Sequence, residues 1–137
     1  MAVAYVARSA NAAKWGASVG LTKHIYKLGV AEESAEAAVK ALNQAAHAGE
    51  TDWKLVKKEP VEGLDEAAAI ERLAHKERMV DPNLYPKIKG VQGIFKVKPV
   101  NAENYFFAKQ AMENLETRDI KVKHPEIAAY LLHAALH

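Results

Sequence analysis

Val3, Val6, Ala10, Ala13 and Ala17 recur at steps of three and four residues, which predicts a helix over residues 3–17 with a thin, alanine-lined face. Gly16 and Gly20 weaken that helix, and Leu21, Ile25 and Leu28 resume a helical spacing that Gly29 would end as a C-terminal cap. Ser34 is suited to cap the next helix. Ala35, Ala38, Val39, Leu42, Ala45 and Ala46 form its apolar face, with Glu36 and Lys40 as an i,i+4 pair and Gly49 as the stop. Asp65 is the expected N-cap of a third helix, running to about Val80 and burying Ile70, Leu73 and Ala74.

Asp81-Pro82 and Tyr85-Pro86 then enforce a turn-rich stretch. Residues 87–98 predict a short hairpin with Gly90 to Gly93 as its turn, because Phe95 and Val97 alternate with Lys96 and Lys98. Asn101 would cap a fourth helix over 102–116. Ile120 and Val122 alternate with Lys121 and Lys123 as another short strand. Pro125 suits the first position of a last helix, 125–136. A lysine-alternating segment precedes a helix three times, at Trp53–Lys57, Phe95–Lys98 and Ile120–Lys123, which suggests strand-then-helix units sharing a small sheet. Assembled, the pattern predicts a mainly α (α+β) fold of about five helices around one core. A two- or three-stranded β element sits in its C-terminal half. The organisation expected is one domain over 1–137, with an acid-free, basic helical segment 1–30 and a helical and hairpin body 31–137.

Composition narrows the function classes. The chain has 137 residues, enough to bury roughly two-thirds of its unfolded surface around one core. Its 50% hydrophobic and 26% charged residues are a globular balance, and the single-digit aromatic share favours thin, closely packed helices. With no cysteine there is no disulfide, zinc-thiolate site or thiol nucleophile. No segment is long and apolar enough to span a bilayer as a helix, and Arg8 and Lys14 interrupt what would be a signal-peptide core. These features predict an intracellular, cytoplasmic protein that is not secreted. An Ala-rich, basic start also fits a mitochondrial matrix address.

No catalytic, cofactor or metal site is legible. The six histidines form no HExxH-type motif; His133 and His137 share a helix face, but His137 is at the frayed end. Glu71 and His75, also i,i+4, read as a solvated pair. No GxSxG, Walker or Rossmann glycine pattern occurs. A small enzyme assembled from scattered residues is a third-ranked reading, behind two binding readings.

The nucleic-acid reading uses Arg8, Lys14, Lys23 and Lys27, which precede the first acid, Glu32. Small residues around Gly16 resemble the turn of a helix-turn-helix, with 21–28 as the recognition helix. Gly90-x-x-Gly93 beside Lys87 and Lys89 resembles the GXXG clamp of KH domains, although a strand follows it. Lys96, Lys98, Lys121 and Lys123 could line a sheet face, but lysine on short strands is also the ordinary defence against edge pairing. A net charge of only +2 makes this reading second.

The first reading is a non-enzymatic protein–protein interaction module or accessory subunit, binding a protein partner or a second copy. Tyr105, Phe107, Ala108, Ala111, Met112 and Leu115 form an apolar side of the fourth helix, and Phe106 falls on the opposite side among Glu103, Lys109, Gln110 and Glu113. One helix in a two-layer fold cannot bury both sides. The last helix is apolar almost all round, so Ile127, Leu131, Leu132 and Leu136 belong either to a central core or to a partner contact. The expected contact residues are Phe106, Ile127, Leu131, Leu132 and Leu136.

Overall fold

The computed structural model describes residues 2–21, 24–32, 34–81, 84–85, 88, 91, 93–112 and 123–136, the side chains of 110–112 excepted. The described elements are β1 (Ala2–Ser9), α1 (Ala10–Ser18), β2 (Ile25–Ala31), α2 (Ala35–Gln44), a 3-10 turn (His47–Gly49), β3 (Trp53–Val61), α3 (Glu66–Ala74), β4 (Arg78–Met79), β5 (Ile94–Lys96), α4 (Pro99–Met112) and α5 (His124–Leu136). The strands pair antiparallel in the order β3-β1-β2-β5-β4.

This corrects the helix-dominated expectation. The sheet begins at residue 2, and three of its strands lie before residue 62. The predicted helix 3–17 is a strand followed by a short helix, and the predicted helical segment 21–28 ends in β2. The physical reason is burial on both faces. Ala4–Ala7 and Ile25–Gly29 are unbroken buried runs, so neither segment shows the alternation of a half-exposed strand. Their alanines, valines and leucines then fall by chance on helical spacings. A basic helical segment 1–30 therefore does not exist as a unit.

Ser9 makes the strand-to-helix change possible. Its backbone is extended, with φ −120 and ψ 125, and its hydroxyl accepts from Ala12 N at 3.0 Å while donating to Asp52. Asp52 also accepts from Asn11 N at 3.0 Å, so the start of α1 is tied to the loop before β3. Ser34 and Asp65 cap α2 and α3 in the same way, as the sequence predicts.

The two faces of the sheet carry separate cores. Tyr5, Ala7, Ile25 and Ile94 pack with Ala12 of α1, Ala35 and Val39 of α2, and Trp53. Ala4, Val6, Tyr26, Leu28 and Phe95 pack with Ala69 and Leu73 of α3, Ala102 of α4 and most of α5. The fold is thus three-layered, helices on both sides of an antiparallel sheet. Trp53 is locked by Asn43, whose side-chain amide exchanges hydrogen bonds with its backbone at 2.6 and 2.9 Å. Its indole donates to His47 O at 2.9 Å.

Gly29, expected to cap a helix, lies inside β2 directly opposite Tyr5. A Cβ there would stand 2.4 Å from the Tyr5 ring, so only glycine lets that ring lie flat over the strand. The outer strand β3 exposes Lys54, Lys57, Lys58 and Pro60, which discourage edge-to-edge pairing. Lys58 also pairs with Glu36 of α2 at 2.5 Å.

Two further expectations shift. The partner of β5 on its outer side is β4, at Arg78 and Met79, whereas the predicted partner segment falls on Lys87, Lys89, Gly90 and Gln92, outside the described residues. Helix α4 starts at Pro99 rather than at an Asn101 cap, since proline is itself suited to a first turn. The strand expected at Ile120–Val122 lies outside the described residues.

Candidate functional site

Among the described side chains of helix α4, Ala102 is fully buried against the body, and half-buried Tyr105 packs against the same core. Helical spacing sets Val100 and Phe107 on the side away from Ala102, and they are 51% and 52% exposed. Ala108 is exposed beside them. The apolar side predicted from sequence is therefore turned outward at Phe107 and Ala108. Phe106, predicted to stand opposite it, is half-buried with its ring edge-on to Tyr105, centroids 5.0 Å apart.

The other predicted contact residues go inward. Ile127, Leu131 and Leu132 are buried in the core on the α3 side of the sheet, and half-buried Leu136 packs against it. An all-round apolar helix is accommodated because α5 crosses β3 and β1 while α3 and α4 flank it.

The third side of α4 borders a groove of about 770 Å³ between α3, α4 and α5. Arg72 and His75 enter it from the end of α3, with Lys76 just beyond. Asn101, Asn104 and Tyr105 line it from α4, and Tyr130, His133 and Ala134 from α5. Under the groove, buried Glu77 accepts hydrogen bonds from Tyr130 Oη at 3.0 Å and Asn101 Nδ2 at 2.9 Å. Burial, and then the Glu77 charge it bonds to, pushes the Tyr130 phenol well above its ordinary range. Tyr130 therefore serves as a fixed donor to Glu77. Arg72 donates from one guanidinium nitrogen to Leu136 O at 3.3 Å, joining α3 to the end of α5. The Tyr105 ring lies 4.8 Å from His133 and 5.8 Å from Tyr130.

The residues of the nucleic-acid reading are not gathered into one surface. Lys14 is exposed on α1, Arg8 is half-buried on β1, and Lys23 lies outside the described residues. Lys27 is only 5% exposed on β2, and burial lowers its pKa. No recognition helix follows Gly16, because residues 25–31 are strand. Of the lysines expected on a sheet face, Lys96 is on β5, Lys98 and Lys123 are outside strands, and Lys121 is not among the described residues.

Two polar clusters went unread in the sequence. Tyr26 Oη meets His124 Nδ1 at 2.7 Å across nearly the whole chain. Burial pushes this phenol to about 12 against the opposing pull of Arg8, and burial followed by the Arg8 charge lowers His124. On the other side of the sheet, burial and the Lys27 charge depress His47 to about 4. His47 sits between Ala46 and Ala48, both at positive φ, and its Nε2 is buried without a hydrogen-bond partner among the described residues. No local motif marks either cluster, since each joins residues from separate elements.

Among the described residues, no group of three or more His, Cys, Asp or Glu side chains is placed to hold a metal ion, and no helix is long and apolar enough to cross a membrane. Compared with protein families, curated proteins and solved structures, the chain matches no family model, no curated protein and no solved structure.

Proposed function

We propose that the chain is a protein–protein interaction module that associates, with a partner or a second copy, through the outer side of α4. One observation carries this reading: Val100 and Phe107 of α4 face away from the core, more than half exposed one above the other. The two are seven residues apart, two helical turns, which is the spacing of anchors on a helix laid into a groove. The inward course of Ile127, Leu131 and Leu132 leaves them to the core.

The test is Phe107→Asp, measured by light scattering over a concentration series and by cross-linking in cell extract. Loss of a self-complex or of one discrete cross-linked species, with an unchanged melting temperature, is the expected result. A wild-type chain that stays monomeric and gains no cross-linked species sensitive to Phe107→Asp refutes the reading.

A further inference from the structure

The groove between α3, α4 and α5 has a composition that the association reading does not use. Among the described residues its lining side chains include two fixed cations, Arg72 and Lys76, two imidazoles, His75 and His133, and no Asp or Glu. The carboxylate bonded to this lining, Glu77, is only 5% exposed and is occupied from above by both Tyr130 and Asn101. Glu103 falls, by helical spacing, on the other side of α4. Among the described residues the groove thus presents donors and positive charge, with Glu77 covered and exposed Glu71, one turn before His75, outside the lining.

Aromatic surface stands beside those donors. Tyr105 and His133 form a tilted ring pair bordering the groove, centroids 4.8 Å apart at 36°. A cationic groove beside aromatic rings is the arrangement that holds a phosphate on one side and stacks a base on the other. An inorganic anion would use only the cations, and an apolar ligand only the rings. The volume of about 770 Å³ lies within the range of pockets that enclose small ligands.

We propose that this groove binds a nucleotide unit, its phosphate held by Arg72 and Lys76 with help from Asn104, and its base stacked against the Tyr105–His133 pair. The unit could come from a free nucleotide or from a single strand. Both sources share this chemistry and are separated by experiment.

The experiment uses the full chain with a fluorescent oligothymidylate, followed by anisotropy, and with adenosine monophosphate and inorganic phosphate as competitors. Neutralising one phosphate predicts a salt slope, d log K/d log[salt], of about −0.7 for a single strand. Lys76→Ala should make that slope shallower. Lys76→Glu should weaken binding roughly tenfold or more. The Lys76 side chain is exposed, so these variants leave the fold intact. Tyr105→Leu should weaken binding by roughly tenfold through lost stacking. Since Tyr105 also packs on the core, that variant is read only alongside an unchanged circular dichroism melt.

Lys14→Glu, on the opposite side of the sheet, is the control and should leave binding unchanged. Competition by the monophosphate as strong as that by an unlabelled strand identifies the free nucleotide as the source. Weak competition identifies the strand. No binding at low salt, equal losses for Lys14→Glu and Lys76→Glu, or inorganic phosphate competing as well as the nucleotide overturns the proposal. Its failure leaves the α4 association reading untouched, because Phe107→Asp lies outside the groove.

Discussion

Replacing Gly29 with alanine should destabilise the protein through one identifiable clash, and the cost should vanish when that clash is removed. The Tyr5 ring covers Gly29 across the β1–β2 pair, and the added methyl would sit 2.4 Å from both Cζ and Oη and 2.7 Å from Cε1. Tyr5 is 4% exposed, so the ring has no free space to yield into. Complete expulsion would forfeit the burial of about 150–250 Å² of aromatic surface, roughly 4–6 kcal/mol at about 25 cal/mol per Å². A partial shift within the core costs about 1–3 kcal/mol, the ordinary range for overpacking. We therefore expect Gly29→Ala to lose about 2 kcal/mol, or roughly 6–10 °C in melting temperature for a chain of this size. In a Tyr5→Val background the same change meets no ring. There it should be neutral or stabilise by up to about 1 kcal/mol, because alanine loses less chain entropy than glycine on folding. Urea unfolding of the four proteins in this double-mutant cycle measures a coupling near 2 kcal/mol. Equal costs in both backgrounds would refute the argument, since the penalty would then reside in the backbone rather than between ring and methyl.

Two other outcomes follow from the turn before β3. Ala46, exposed at φ 49 and ψ 53, occupies a backbone region that costs an L residue about 1–2 kcal/mol, so Ala46→Gly should raise stability by roughly 0.5–1 kcal/mol; an unchanged or lower urea midpoint contradicts this. His47 is held at about 4, below its ordinary 6.5, so the unfolded chain takes up a proton that the folded one resists. Its contribution is present above about pH 6.5 and is lost as pH falls towards 4; the stability difference between wild type and His47→Gln should shrink over that window, and a difference independent of pH would exclude the mechanism.

What the sequence makes legible follows the solvent. Helices α2 and α3 are half-exposed, so their apolar stripes and the caps at Ser34 and Asp65 stand out against polar neighbours. Of β3 only the lysine-bearing start at Trp53–Lys57 stands out, and the pattern places the sheet in the C-terminal half. β1 and β2 lie between two helical layers, where polar punctuation is lost and alanine-rich strands pass for helices. The tyrosine–glycine pairing that marks these strands is a cross-strand relation, invisible without the register.

The candidate site is legible to a lesser degree. Phe106 stands out in the sequence because it opposes an apolar stripe, but local spacing cannot say which side of α4 meets the body. Small Ala102 settles it by allowing close approach, so Phe107 faces outward while Tyr105 of the same stripe packs on the core. The groove draws Arg72, Asn104 and His133 from three helices, and helical spacing within any one of them carries no sign of it.

The position of α5 along the chain has a consequence for synthesis. During elongation the strands β1, β2 and β3 emerge first and have their local partners at hand, together with α1 and α2 for one face. The opposite face, with Val6 and Leu28, is only partly covered by α3 until Ile127, Leu131 and Leu132 arrive. A nascent chain at that stage displays an apolar sheet beside an unfinished helical layer, the condition in which chaperones bind and partial folds aggregate. Emergence of the thirteen-residue helix α5 is then the event that covers this face of the sheet.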